Sequence, residues 1–207
     1  MTTTEPTTAR PTGFSITVPE HWARFDLSDA PFAKARQQAL KTARTPVDRI
    51  QVDDLFRQAR AINRAARRRG ALWGAGTATA YSDALFLGHV MVFGIDPGDD
   101  VDMSLPTLTK QLSRDGVGPG TAESASQPRE VKPVTLSHVG EAVRIMGIER
   151  ASVSADATVE MLSMHTLVKV PGGSTDQFLI TCCSPNVALA EQVYELFDAV
   201  SDTFRFS

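Results

Sequence analysis

Residues 141–183 read EAVRIMGIERASVSADATVEMLSMHTLVKVPGGSTDQFLITCC, and this stretch decides the fold class. Its apolar and β-branched residues predict three strands, at roughly Glu141–Val153, Thr158–Val170 and Thr175–Cys183. The separators Ala155-Asp156 and Pro171-Gly172-Gly173 are short and consist of turn-forming residues. Strands joined by such short turns pair antiparallel, because a parallel pair needs a crossover of a dozen or more residues. The stretch therefore predicts an antiparallel sheet.

Hydrophobic periodicity and breaker residues predict further elements on both sides of this stretch. They are a strand at Phe14–Val18, helices at Ser28–Ala43 and Val47–Arg69, strands at about Ala71–Tyr81 and Leu85–Ile95, and a short helix at Ser104–Ser113. A long loop, Gly116–Pro133, leads into a further strand within Val131–Val139, and Ser184-Pro185 is expected to begin a final helix. The whole set predicts an α+β fold in which an antiparallel sheet of about six or seven strands is flanked by helices.

Composition predicts one globular domain. The chain has 207 residues, of which 42% are hydrophobic and 22% charged, and its formal net charge of -3 argues against a dedicated nucleic-acid-binding protein. Residues 1–12 are rich in Thr and Pro and are expected to form a disordered tail, so the domain should span residues 13–207. No stretch has the pattern of a secretory signal, and we expect a cytoplasmic protein. The adjacent cysteines Cys182 and Cys183 are expected to be two buried thiols on opposite faces of a strand.

Two terminal motifs carry a family resemblance. The opening FSITVPEHW, Phe14–Trp22, and the ending LFDAVSDTFRF, Leu196–Phe206, resemble the first strand and the last helix and tail of the Mog1/PsbP/LpqN-like fold family. The resemblance implies an antiparallel sheet with flanking helices. It also implies a non-enzymatic role, because the family consists mostly of small binding, assembly or envelope proteins. This chain is expected to depart from the family in two ways, since no stretch has the pattern of an export signal and an Arg-rich helix is inserted.

Basic residues concentrate between Ser28 and Gly70. This segment holds eleven Lys and Arg against four Asp and Glu, whereas the rest of the chain holds ten against twenty. Helical spacing places several arginines along one face, opposite the apolar stripe. Because guanidinium groups form strong charge-assisted hydrogen bonds to carboxylates, we expect an acidic protein partner on this face. The candidate partner-binding residues are Arg57, Arg60, Arg64 and Arg67.

Three other interpretations of this basic face stay open. It could be a solvated surface, it could contact the protein's own acidic side, or it could bind an anionic membrane or nucleic acid. The stripe has no interleaved aromatic residues on which single-stranded bases could stack, which disfavours nucleic acid. The long loop Gly116–Pro133 is a second candidate contact surface.

No catalytic residue, metal or cofactor is expected. The acidic run 96–102 fails the calcium-loop pattern, since its sixth position is Val101 instead of Gly and its twelfth is Thr107 instead of Glu. Neither a nucleophile elbow nor a phosphate-binding glycine loop occurs. The alternative to a non-catalytic binding module is a small-molecule or enzymatic site on one sheet face, lined by His89, His165 and Trp73.

Overall fold

The computed structural model describes residues 13–25, 27–28, 36–37, 40–41, 43–80, 85–95, 129–154, 157–172 and 176–207. The elements in chain order are β1 (Phe14–Ser15), β2 (Ala23–Arg24), α1 (Pro46–Arg68), β3 (Ala71–Ala80), β4 (Leu85–Ile95), β5 (Glu130–Leu136), β6 (Gly140–Ser154), β7 (Ala157–Lys169), β8 (Gln177–Ser184), a 3-10 turn (Val187–Leu189), α2 (Ala190–Asp202) and β9 (Arg205–Phe206). The predicted tail 1–12, the helices at Ser28–Ala43 and Ser104–Ser113, and most of the loop Gly116–Pro133 lie wholly or largely outside the described residues.

Seven strands form one antiparallel sheet in the order β2-β3-β4-β8-β7-β6-β5. The two hairpins predicted from residues 141–183 are present, with Val143 opposite Leu167 and His165 opposite Thr181. Strand β4 lies inside the sheet between β3 and β8, as its apolar sequence predicted. The α+β class and the antiparallel sheet flanked by helices are therefore confirmed.

Helix α2 covers one face of the sheet, which we call the α2 face. Its buried residues Val193, Phe197 and Val200 pack on alternate residues of the central strands, including Met164 and Ile180. Side chains alternate between faces along a strand, so the α2 face takes the even-numbered residues of β7 and β8. The odd-numbered residues of these strands form the opposite face, where Val143, Ile145 and Leu167 make a smaller buried cluster.

The final helix begins later than the sequence predicted. Ser184 is the last residue of β8 instead of a helix cap, and its hydroxyl donates to the carbonyl of Leu87 at 2.6 Å. The Asn186 side chain then bridges to β4, accepting from the Leu87 amide and donating to the Leu85 carbonyl, both at 2.9 Å. These bonds hold the chain to the sheet, and the helix starts only at Ala190.

Two strand boundaries also differ from expectation. The predicted strand Phe14–Val18 is paired only at Phe14–Ser15, because the amide of Thr17 donates to the Thr203 hydroxyl instead of to a strand. Strand β5 begins at Glu130, inside the predicted loop, although it contains Pro133. Proline is tolerated there because β5 is an edge strand, where one side of the backbone needs no ladder partner.

The two ends of the chain meet beside the sheet. Strand β1 pairs with β9, with Phe14 opposite Phe206, and reciprocal 3.0 Å hydrogen bonds join Gly13 to Ser207. Rings from both ends cluster with Phe178 of β8 at centroid distances of 5.2 to 5.9 Å. The terminal segments thus form part of the main core.

Candidate functional site

Helix α1 has a well-defined start. Thr45 forms a capping box, in which its hydroxyl accepts from the Asp48 amide at 3.1 Å and its own amide donates to the Asp48 carboxylate at 2.9 Å. Pro46 occupies the first turn, where its missing N–H costs nothing. The pKa of Asp48 is lowered by hydrogen bonding with the Thr45 amide, the Thr45 hydroxyl and the Arg44 amide. The Asp48 carboxylate is therefore ionised near neutral pH. The first turn is thus capped by hydrogen bonds from both partners of the box.

One polar contact anchors the later part of α1. Asn63 is buried, and its side-chain amide donates to the carbonyl of Leu27 at 2.7 Å. Asn63 is the one fully buried residue among those α1 residues whose side chains are described, while Val52, Phe56 and Ala66 are half-buried. The helix is thus anchored at Asn63, while other described side chains of α1, among them Val47, Ile50 and Arg64, are exposed.

Three of the four predicted arginines have side chains that the structure describes. The side chains of Arg57, Arg64 and Arg67 are exposed, while that of Arg60 lies outside the description. Arg57 and Arg64 are seven residues apart and lie on one line along the helix, and Arg60 and Arg67 lie on the adjacent line. No described carboxylate lies within ion-pair distance of Arg64 or Arg67, whereas Arg36 pairs with Asp53 on the same helix at 2.8 Å.

A second candidate site lies on the opposite face of the sheet, where polar side chains form a chain across three strands. His165 Nε2 is 3.1 Å from Glu149 Oε1, and His165 Nδ1 is 3.1 Å from Thr181 Oγ1. A carboxylate only accepts, so Nε2 carries the proton, and in the neutral ring Nδ1 accepts from the Thr181 hydroxyl. This order of hydroxyl, imidazole and carboxylate is the arrangement by which a base is oriented toward a hydroxyl.

A missing side chain makes this arrangement possible. His165 lies directly opposite Ile145 in the β6–β7 pair, and Gly147 lies between Ile145 and Glu149 on the same face. Arg129 occupies the space over Gly147, where an added Cβ would lie 3.1 Å from Arg129 Cγ. From there Arg129 donates to Glu149 Oε1 at 3.0 Å. Gly147 therefore lets a cation and an imidazole share one carboxylate oxygen.

These contacts and burial shift the pKa values of Glu149, His89 and Cys183 on the opposite face of the sheet. The hydrogen bond from His165 lowers the pKa of Glu149 against the effect of burial, and electrostatic interactions with His165 and Arg129 lower it further. Burial lowers the pKa of His89 and raises the pKa of Cys183 to about 12, with the negative charge of Glu149 contributing to the latter. The carboxylate is thus ionised at neutral pH, and Cys183 is a protonated thiol.

The predicted sheet-face site is corrected in one member. His89 and His165 share the opposite face, with β8 between their strands. Trp73 does not join them, because its register opposite Val92 places it on the α2 face, where it packs against the core. Trp73 is paired with an even-numbered residue of β4, whereas His89 is an odd-numbered residue of that strand, so the two side chains lie on opposite faces of the sheet.

Sequence reasoning missed three members of the polar chain. Glu149 lies on β6, Arg129 lies just before β5, and Thr181 lies on β8. Only the strand register brings these three residues to His165. Their periodicity along the chain carries no distinguishing signal. The same reasoning missed Val47 and Ile50, two apolar residues on the exposed side of α1.

Metal-binding clusters and membrane-spanning helices are both absent from the described part of the chain. No group of three or more His, Cys, Asp or Glu side chains there is arranged to hold a metal ion. Neither of the described helices is long and apolar enough to cross a membrane.

No family model matches the chain, and no curated protein matches it. Among solved structures, it is similar to LpqN of Mycobacterium tuberculosis, a protein involved in cell envelope biogenesis. The two share 11% sequence identity at a TM-score of 0.42, and the alignment covers 98% of this chain and 86% of that chain.

Proposed function

We propose that the protein is a non-catalytic binding or assembly module that docks an acidic protein partner on the basic face of α1. In this proposal Arg57, Arg60, Arg64 and Arg67 donate hydrogen bonds to carboxylates of the partner. The supporting observation is the exposure of Arg64 and Arg67 on a capped helix, without a described carboxylate in ion-pair distance. A partner would supply the carboxylates that these two arginines lack within the described chain.

Charge distribution supports the same function. The segment 28–70 carries an excess of seven positive charges in a chain whose net charge is negative. Such asymmetry attracts a negatively charged partner over roughly the Debye length, about 8 to 10 Å at ordinary ionic strength. Because Asn63 and the Thr45 capping box hold the helix in place, little helix ordering remains to be done upon binding.

We further propose that the fold belongs to the Mog1/PsbP/LpqN-like group. The two terminal motifs that carry the resemblance lie together, since Phe14 pairs with Phe206 and the Trp22 ring is buried in the core. A motif pair that is distant in sequence but adjacent in the fold is the arrangement expected if both motifs serve one packing function.

The proposed function is tested by affinity purification of the tagged full chain from its own cells, with quantitative mass spectrometry. An Arg64→Glu, Arg67→Glu variant should lose a stoichiometric partner and keep its melting temperature, because both side chains are exposed. The matched control is Arg24→Glu, Lys169→Glu, which makes the same charge change at exposed positions outside α1. Equal recovery of the partner by the α1 variant and by the control would contradict the proposal.

Direct binding assays with anionic vesicles and with nucleic acid test the other anionic ligands of this surface. If anionic vesicles or nucleic acid bind the purified chain with steep salt dependence, and no protein is recovered, the surface serves one of those ligands instead.

A small-molecule site on the opposite sheet face is the second candidate function. It is favoured by the partly exposed chain Thr181–His165–Glu149, which lies beside the buried apolar residues Ile145 and Leu167. Polar groups that converge next to an apolar cluster are typical of ligand sites. A thermal-shift screen of small polar metabolites should then find a ligand for the wild type and none for His165→Gln. No shift with any compound would remove this candidate.

A further inference from the structure

Two apolar side chains stand out on the exposed side of α1. Val47 is 61% exposed and Ile50 is 62% exposed, the two highest values among the large apolar side chains that the structure describes. Both lie in the first turns of the helix, directly after the Thr45 capping box. The cap holds them in helical geometry, so they are presented at fixed positions instead of on a frayed end.

Helical geometry places these two residues in line with the arginines. Positions 47, 50, 57, 64 and 68 are separated by 3, 7, 7 and 4 residues, and at 100° per residue they fall within an arc of about 100°. Asn63, the buried anchor, lies on the other side of the helix. The exposed side of α1 therefore carries one stripe with an apolar end, Val47 and Ile50, and a basic end, Arg57, Arg64 and Arg68.

We propose that this α1 stripe is the docking surface for an acidic amphipathic segment of the partner protein, an inference that rests on the proposed function. Apolar side chains of the segment cover Val47 and Ile50, and its carboxylates bond the arginines of the basic end. Burial of the two apolar residues supplies affinity, while the arginines fix register and select against neutral or basic segments.

The apolar end argues for a protein partner over a phosphate-rich ligand. A nucleic-acid backbone offers phosphates to arginines but no apolar surface to cover Val47 and Ile50. Asp48, next to Val47 on the helix, would also repel phosphates at that end. A segment with apolar residues at one end and carboxylates at the other fits both halves of the stripe.

A site-specific cross-linking experiment tests this proposal. A photoreactive phenylalanine analogue replaces Asp54, which lies between the two ends of the stripe, in the full chain expressed in its own cells. The cross-linked peptide is then sequenced by mass spectrometry. We expect a segment with net negative charge and two apolar residues three or four positions apart.

Variants of the two ends separate the outcomes. The double variant Val47→Ser, Ile50→Ser should reduce the cross-link yield at least tenfold, and so should the double variant Arg64→Glu, Arg68→Glu. The control is Leu189→Ser, an exposed apolar site on another surface, which should leave the yield unchanged. If only the arginine variant loses the cross-link, the proposed function stands and the α1 stripe inference is overturned. If lipid, nucleic acid or nothing is cross-linked, both are overturned.

Discussion

Single residues on the sheet have reactivities that follow from their surroundings. Cys182 and Cys183 are both buried and free, and burial raises the pKa of each thiol, that of Cys183 to about 12. Because the thiolate is the reactive form, neither should react with an alkylating agent in the native protein. We expect less than one equivalent labelled by iodoacetamide at pH 8 and two in denaturant, counted by intact mass. Rapid native labelling of Cys183 would show that the opposite face opens around it.

Glu149 gives the sheet a pH-dependent contribution to stability. Its pKa is lowered from the ordinary value of 4.5 in the folded state, chiefly by the hydrogen bond from His165. A carboxyl whose folded pKa is depressed stabilises the protein above its unfolded pKa, and this contribution is lost as pH falls through the folded value. Glu149→Gln should therefore lower the free energy of unfolding at pH 7, and the difference from wild type should shrink below about pH 4.5.

Urea denaturation at a series of pH values measures this effect. The control is Glu160→Gln, which removes an exposed carboxylate paired with Arg150 at 3.1 Å and should change stability little at any pH. A difference between wild type and Glu149→Gln that is the same at pH 3 and pH 7 would contradict the assignment of the pH dependence to Glu149.

Among the elements, α1 should be less stable than the sheet. Asn63 is its fully buried residue among the side chains described, whereas β7 has Leu162, Met164 and Val168 with no exposed surface. Regions with few buried apolar contacts open at lower free energy than the core. Hydrogen exchange should therefore be faster at α1 amides than at β7 amides, and Thr45→Ala, which removes the cap at a cost of about 1 kcal/mol, should accelerate it further. Equal protection of α1 and β7 would contradict this expectation.

Elements built from local sequence were predictable, and those built from distant partners were not. The hairpins of β6, β7 and β8 follow from apolar alternation and short turns, all within 45 residues. The exposure of Arg57, Arg64 and Arg67 follows from helical spacing, which is also local. The polar chain at His165 required the strand register and the empty space over Gly147, neither of which a linear pattern carries. The late start of α2 likewise depends on Asn186 reaching β4, about 100 residues earlier in the chain.

At the scale of the whole molecule, the chain ends hold the fold closed. The Thr203 hydroxyl donates to the Val200 carbonyl at 2.7 Å and accepts from the amide of Thr17 at 2.8 Å, across 186 residues of sequence. Closing so long a segment costs only slightly more entropy than closing a short one, because the cost grows with the logarithm of length. The contacts that close it must still outweigh that cost, and they include the cluster of Phe14, Phe178, Phe204 and Phe206.

Phe204 is the centre of that cluster, so its truncation should destabilise the whole protein. The ring has no exposed surface, and its centroid lies 5.5 Å from that of Phe14, 5.7 Å from that of Phe178 and 5.5 Å from that of Phe206. Phe204→Ala should lower the free energy of unfolding by about 3 to 5 kcal/mol, a large share of the roughly 5 to 15 kcal/mol typical of a domain. The control Leu72→Ala, at a residue more than half exposed, should cost about 1 kcal/mol or less in the same urea titration. If the two variants lose similar stability, the ends form an appendage, and the sheet and α2 are stable without them.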